Sequence, residues 1–200
     1  MRTQLWRIRS GALSSFPDRV RAYATTHAAA LPEHVERLLV MIDGVNLQIR
    51  DADRQLLRIA KAYPVCRLLM TMPGVGPVTA VRFVAAIDRV DRFAGAHAVQ
   101  SYLGLTPGQN SSSERSRVTG ITKAGPTAVR WVLVQAAWVA WRSRPEDPMV
   151  RWARQIGERR GRHIAIVALA RKISGILFAM WRDQASYQAS RTWSSLAATM

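Results

Sequence analysis

The sequence predicts an all-α fold: a long coiled-coil helix, then a helical domain containing a helix-hairpin-helix-like turn. Three observations carry this expectation. Apolar residues recur at spacings of three and four from Val35 to Ile59. The segments 78–87, 126–141 and 164–181 have helical lengths and helical apolar stripes. Alternating apolar and polar runs, the mark of half-buried strands, are scarce. The chain accordingly divides into a basic N-terminal segment at 1–31, the coiled-coil helix at 32–63, a helical domain at 64–183 and a tail at 184–200.

Two hundred residues fill one ordinary domain or two small ones, which excludes a large multidomain enzyme. Lys and Arg number 29 against 13 Asp and Glu, a formal net charge of +16, more than solubility requires and pointing to a polyanionic partner. Apolar residues make up 48% of the chain and include seven Trp, so it has material for a core and is not a disordered basic tail. The single cysteine, Cys66, excludes an internal disulfide and suits a reducing, cytoplasmic setting. No run reaches the ~18 uncharged apolar residues of a membrane span. The acid-free start, with Arg2, Arg7, Arg9 and several serines, bears a faint likeness to a transit peptide.

Pro32 opens the first clear element. Val35, Leu38, Ile42, Val45, Ile49, Ala52, Leu56 and Ile59 form a heptad-type stripe, flanked by balanced acids and bases as on a solvated surface. A helix over 33–62 would be about 45 Å long. So narrow a stripe on so long a helix calls for a helical partner: a second copy of the chain, or a helix folded back on it. An amphipathic helix lying on its own domain is the alternative.

Pro64 ends that helix, and Pro73-Gly74-Val75-Gly76-Pro77 separates two apolar segments. Two glycines let a turn backbone approach a phosphate, and the following helix N-terminus offers N–H groups to the anion, so Gly74 and Gly76 are candidate DNA-backbone contacts. A plain tight turn between packed helices is the other reading. From Arg92 to Arg144 the only acid is Glu114. Within that stretch 109–122 reads as an exposed polar loop, and a helix apolar nearly all round, destined for the domain centre, starts near Pro126. Arg151, Arg154, Arg159, Arg160 and Arg162 precede the apolar helix at 164–181, where cations at a helix N-terminus would oppose its dipole unless an anion arrives.

Metal-dependent phosphodiester chemistry needs converging carboxylates. Here five acids sit on the long helix among bases, and His27, His34, His97 and His163 are scattered, so no metal site is expected within the chain. A serine in the basic 109–122 segment is the remaining nucleophile, and it needs a neighbouring base or charge stabilisation to act.

Tyr102-Leu103-Gly104-Leu105-Thr106-Pro107, Ser112 five residues after that proline, Gly120-Ile121-Thr122-Lys123-Ala124-Gly125 and Arg130 together resemble the C-terminal domain of the insertion-sequence transposases of the IS110 type, the bridge-RNA-guided DNA recombinases. Supporting matches run through Met72–Pro77, Arg92-Phe93, Ala170-Arg171-Lys172 and Met180-Trp181-Arg182-Asp183, and the resemblance covers roughly 17–183. It implies a coiled coil between protomers and a serine that attacks DNA, the matching position being Ser112. The family usually has glycine directly after that serine; here Ser113 takes its place, and Ser111 offers another hydroxyl. The family's N-terminal resolvase-like nuclease domain, whose acids bind metal, has no counterpart in these residues. Mg2+ is therefore expected in that domain and no cofactor in this chain.

The resulting expectation is a DNA-binding C-terminal part of a transposase, inactive alone, in which Ser112 attacks a phosphodiester while Arg115, Arg117, Lys123 and Arg130 meet phosphate charge. DNA, a guide RNA and a second copy of the chain are the expected partners, at the nucleoid in the cytoplasm and with no membrane. The alternative is a non-catalytic basic DNA- or RNA-binding protein, or a degenerate transposase remnant.

Overall fold

The computed structural model describes the backbone of residues 6–112 and 115–189, and their side chains outside 109–119. Among the described residues eight α-helices form: α1 (Phe16–Thr26), α2 (Glu33–Ala62), α3 (Pro64–Leu69), α4 (Pro77–Ile87), α5 (Ala96–Tyr102), α6 (Thr127–Ser143), α7 (Pro148–Arg160) and α8 (Arg162–Asp183). The strands β1 (Pro107–Ser112) and β2 (Arg115–Ile121) form one antiparallel pair. The fold is all-α, as the helical periodicities predict. The chain forms two compact units that meet within α2, at residues 55 and 56.

In the first unit, proline in the first turn of α1 presets the helical φ, and Asp18 complements its N-terminus. Arg21 on α1 reaches two acids of α2: its Nε donates to Glu36 Oε1 at 2.9 Å and a terminal nitrogen to Asp43 Oδ2 at 2.8 Å. These two carboxylates hold the Arg21 guanidinium above its usual pKa. Asn46 Nδ2 donates to the Ser14 carbonyl at 3.2 Å, and Leu39 is buried in the same helical row. So part of what reads as a solvated charged surface on α2 is the seat of α1. The apolar stripe divides accordingly. Val35 and Ile42 are half-buried on the α1 side, whereas Leu38, Met41, Val45 and Ile49 stay 53–67% exposed.

The second unit is built around α8. Twelve of its 22 residues are buried, and α3, α5, α6 and α7 pack on it. The expectation that the tryptophan-rich α6 lies at the centre is corrected: α6 buries Val129, Val132, Leu133, Ala136, Ala137 and Ala140 but leaves Trp131 59% and Val139 43% exposed. Side-chain size explains the exchange. Ala165, Ala170, Ser174 and Gly175 let neighbours approach α8 closely, and a Cβ at Gly175 would lie 2.8 Å from Gln100 Nε2. α8 is also long and apolar enough to cross a membrane by length and composition, a stretch the residue count passes over. With 67% of that window buried inside the unit, its apolarity is accounted for by the core.

Two further corrections concern chain ends of elements. The 109–122 segment is not an irregular loop but β1 and β2, in a register that pairs Gln109 with Val118, Asn110 with Arg117, Ser111 with Ser116 and Ser112 with Arg115. Its Gln, Asn and Ser residues carry no apolar alternation, so the antiparallel pairing leaves no strand signal in the sequence. Beyond α8 the fold continues to Tyr187, past the boundary expected at 183. The Tyr187 hydroxyl donates to both Asp147 carboxylate oxygens, at 2.8 and 3.0 Å, and its backbone N–H donates to Thr71 Oγ1 at 3.0 Å. Asp147 in turn caps α7 by accepting from the Met149 N–H at 2.9 Å.

Candidate nucleic-acid interface

The β1–β2 hairpin rises from a socket made by two glycine turns. The Lys123 N–H donates to the Gly104 carbonyl at 3.1 Å and the Thr122 N–H to the Thr106 carbonyl at 2.9 Å. Gly104 and Gly125 both have positive φ, and a Cβ on either would meet a backbone carbonyl oxygen, of Ala124 or Tyr102, at 2.0 Å. Only glycine allows the two turns to interlock this closely. Leu103 and Leu105 anchor the socket in the core. Arg130, in the first turn of α6, closes it: one terminal nitrogen donates to the Leu103 carbonyl at 3.1 Å and the other to Thr127 Oγ1 at 3.1 Å. A guanidinium can hold both at once because its donors lie in a fixed planar fork.

The site residues expected from the sequence separate into three groups. Ser112, Arg115 and Arg117 lie on the hairpin strands, and the register sets Ser112 across from Arg115; partners in such a ladder have Cα atoms about 4.5–5.5 Å apart. Their side chains, and the whole of Ser113, lie outside the described residues. Lys123 is at the socket with an exposed side chain and a left-handed backbone, while Arg130 donates to the Leu103 and Ala124 carbonyls of the socket. Gly74 and Gly76 lie in the turn between α3 and α4. Gly74, at φ +82°, abuts Ala136 and Ala140, so that a Cβ there would stand 2.2 Å from the Ala136 oxygen. Gly76 has ordinary φ, nothing within 4 Å of its Cβ position, and starts an α4 N-terminus that has no side-chain cap. One glycine thus has a packing duty, and the other faces open space.

The basic run before α8 also takes a different form from that expected. Arg159 and Arg160 end α7, where the helix dipole favours cations, and only Arg162 stands at the α8 N-terminus. Arg154 lies over the Trp141 ring at 5.4 Å and donates to the Trp141 carbonyl at 3.2 Å. The Ala170-Arg171-Lys172 motif works inside the fold. Arg171 Nε donates to Gln100 Oε1 at 3.0 Å, Gln100 Nε2 returns a bond to the Arg171 carbonyl at 3.2 Å, and Lys172 Nζ sits 5.0 Å from the Trp152 ring, where burial lowers its pKa. Gln100 and Asp147 escape sequence reasoning because their partners are 71 and 40 residues away. Cys66 is buried in the core, and burial pushes its thiol pKa up, away from nucleophilic use. Among the described residues no three His, Cys, Asp or Glu side chains converge as metal ligands.

Residues 66–149, from α3 through the socket, hairpin and α6 to the start of α7, match the sequence profile of the Transposase IS116/IS110/IS902 family. The chain is similar to the transposase for insertion sequence element IS1111A of Coxiella burnetii, 32% identical over 142 residues that make up 70% of this chain and 39% of that protein. It is 27% identical to a probable family 20 transposase of Pseudomonas aeruginosa over 82% of this chain and 50% of the relative. With the putative transposase y4rJ of Sinorhizobium fredii it shares 28% identity over 90% of this chain and 46% of the relative. The chain spans at most half the length of these three relatives. Its socket and hairpin motifs lie within the segment that matches the IS116/IS110/IS902 transposase family.

Proposed function

We propose that this chain acts in insertion-sequence transposition as the part that holds DNA and presents a serine to it. The observation that carries the reading is the hairpin on its rigid socket: a strand bearing Ser112, a cation opposite it in register, and Lys123 at its base, within the segment that matches the family. In this reading the Ser112 Oγ forms a bond to phosphorus, the bond from phosphorus to one deoxyribose oxygen breaks, and that oxygen takes up a proton. The seryl phosphodiester keeps the bond energy, so the hydroxyl of another DNA end can displace the serine and complete strand exchange. Arg115, Arg117 and Lys123 offset the charge that develops on the phosphate oxygens. The hydroxyl needs a base or a metal to lose its proton at neutral pH. In this reading the Mg2+ would be supplied by the acidic nuclease domain that the family resemblance implies. A guide RNA is the further partner that the family resemblance suggests. The exposed row Leu38, Met41, Val45 and Ile49 on α2 is the seat of a second protomer, joined as a coiled coil.

Binding to duplex DNA across a salt series tests the first part. Each neutralised duplex phosphate contributes about −0.9 to the slope of log K against log salt, so contact through three or more cations gives a slope of about −3 or steeper. A flat dependence between low and moderate salt excludes phosphate-dominated holding.

A further inference from the structure

Trp131 is the anomaly of the second unit. It is a large aromatic residue on a core helix, yet 59% of it is exposed. It projects from the α6 face that also carries Gln135, Trp138 and Arg142, one residue beyond the guanidinium that closes the hairpin socket. Trp138, two turns further along, meets His163 edge to face at a centroid distance of 6.1 Å, which brings the start of α8 to this face. Arg159, Arg160 and Arg162 flank that point, all exposed, and from Pro148 to Arg182 the only acid is Glu158. α6 itself has no acid. The surface therefore combines a free indole plane with excess positive charge.

We infer that the α6 face around Trp131 is a stacking platform for unpaired bases of a nucleic-acid strand, with the cations of the α7–α8 turn following its phosphates. A base in a duplex has both faces covered by its neighbours and cannot offer one to an indole, whereas an unpaired base can. Stacking on aromatic side chains beside a basic groove is how single strands are held without sequence preference. An exposed apolar surface could also be covered by protein. The surplus of arginines and the absence of acid on α6 favour a polyanion. The platform adjoins the socket, so a strand opened near the hairpin would have its bases caught there. The inference rests on nucleic acid being the partner, but it concerns unpaired strands, which the holding of duplex DNA does not require.

The test compares labelled dT12, rU12 and a 12-base-pair duplex by fluorescence anisotropy, using the whole chain and the variants Trp131→Ala, Trp131→Phe and Trp131→Leu. Base-on-aromatic stacking corresponds to a loss of about 5- to 150-fold per base on alanine substitution. Trp131→Ala should therefore weaken single-strand binding at least fivefold and leave duplex binding within twofold. Trp131→Phe should retain most of the affinity, and Trp131→Leu should behave like alanine. Equal binding of dT12 and rU12 would identify the shared base plane as the ligand, and a preference for one would assign the strand's source. The platform is overturned if Trp131→Ala leaves single-strand affinity unchanged, weakens both forms equally, or changes the sedimentation coefficient of the free protein, the mark of a protein interface. It is overturned too if the leucine variant binds as well as wild type. Wild-type protein that binds duplex but not single strands would refute the platform and leave the holding of duplex DNA standing. The reverse result would refute the duplex reading and leave the platform.

Discussion

Replacing Gly74 and Gly76 by alanine, one at a time, separates packing from phosphate contact in the α3–α4 turn. Gly74 has φ +82°, which costs a side chain of L chirality roughly 1–3 kcal/mol. Its new Cβ would also lie 2.2 Å from the Ala136 carbonyl oxygen and 3.0 Å from the Ala140 nitrogen. Both are backbone atoms of α6 and cannot swing aside, so the helix itself must shift, adding an overpacking cost of about 1–3 kcal/mol. A total near 3 kcal/mol lowers Tm by about 6–12 °C in a chain of this size. Gly76→Ala meets no atom within 4 Å and no φ strain; it changes only the α4 N-cap, for which glycine is better than alanine by roughly 1 kcal/mol or less. Thermal unfolding followed by circular dichroism, beside duplex-DNA binding at a temperature where both variants are folded, gives the comparison. Gly74→Ala should be strongly destabilised, while Gly76→Ala should stay near wild type in stability and, if the α4 N-terminus receives a phosphate, lose DNA affinity. A Gly74→Ala protein as stable as wild type would refute the packing argument.

Tyr187 links stability to alkaline pH. Burial and Asp147 keep its hydroxyl protonated well above the ordinary value near 10, so the stability from this group is complete below about pH 10 and declines as pH rises beyond it. Tyr187→Phe should lose about 1–3 kcal/mol at pH 7, because the buried Asp147 loses a donor, and should show a shallower alkaline decline in urea unfolding; identical slopes would contradict the assignment. On α2, Val45→Asp with Ile49→Asp should abolish the self-association proposed for this row, as read by sedimentation velocity, without disturbing the α1 seat, since both residues are exposed while the Arg21 contacts lie on another face. A wild-type chain that is monomeric at micromolar concentration would show that this row does not join copies.

The helices were legible in the sequence because their signals are local. Pro32, Pro64, Pro77 and Pro148 stand at helix starts, and apolar spacing fills the intervals between them. What escaped is what distance and size decide. The division of the α2 stripe depends on Arg21 reaching Glu36 and Asp43 from a separate helix, 15 and 22 residues away. The choice between α6 and α8 as central helix turns on small residues that admit close neighbours, whereas an apolar count ranks tryptophans highest. The hairpin escaped because its pairing is made by backbone groups in a polar segment, where composition reads as loop. The site was legible as a set of motifs but not as a mechanism. Gly104, Gly125 and Arg130 occur in sequence as separate matches, and only the fold shows that they form one socket.

In the proposed reading the hairpin serine becomes joined to DNA. The direct measurement is mass spectrometry of protein–DNA adducts, made with this chain alone and then with an IS110-type nuclease domain, guide RNA, magnesium and element-end DNA. The chain alone should bind DNA and yield no adduct. The completed mixture should yield a peptide carrying a phosphodiester on Ser112, absent in Ser112→Ala and retained in Ser111→Ala and Ser113→Ala. An adduct that persists in Ser112→Ala would exclude Ser112 as the attacking serine, and metal-dependent cleavage by this chain alone would exclude its need for a nuclease domain.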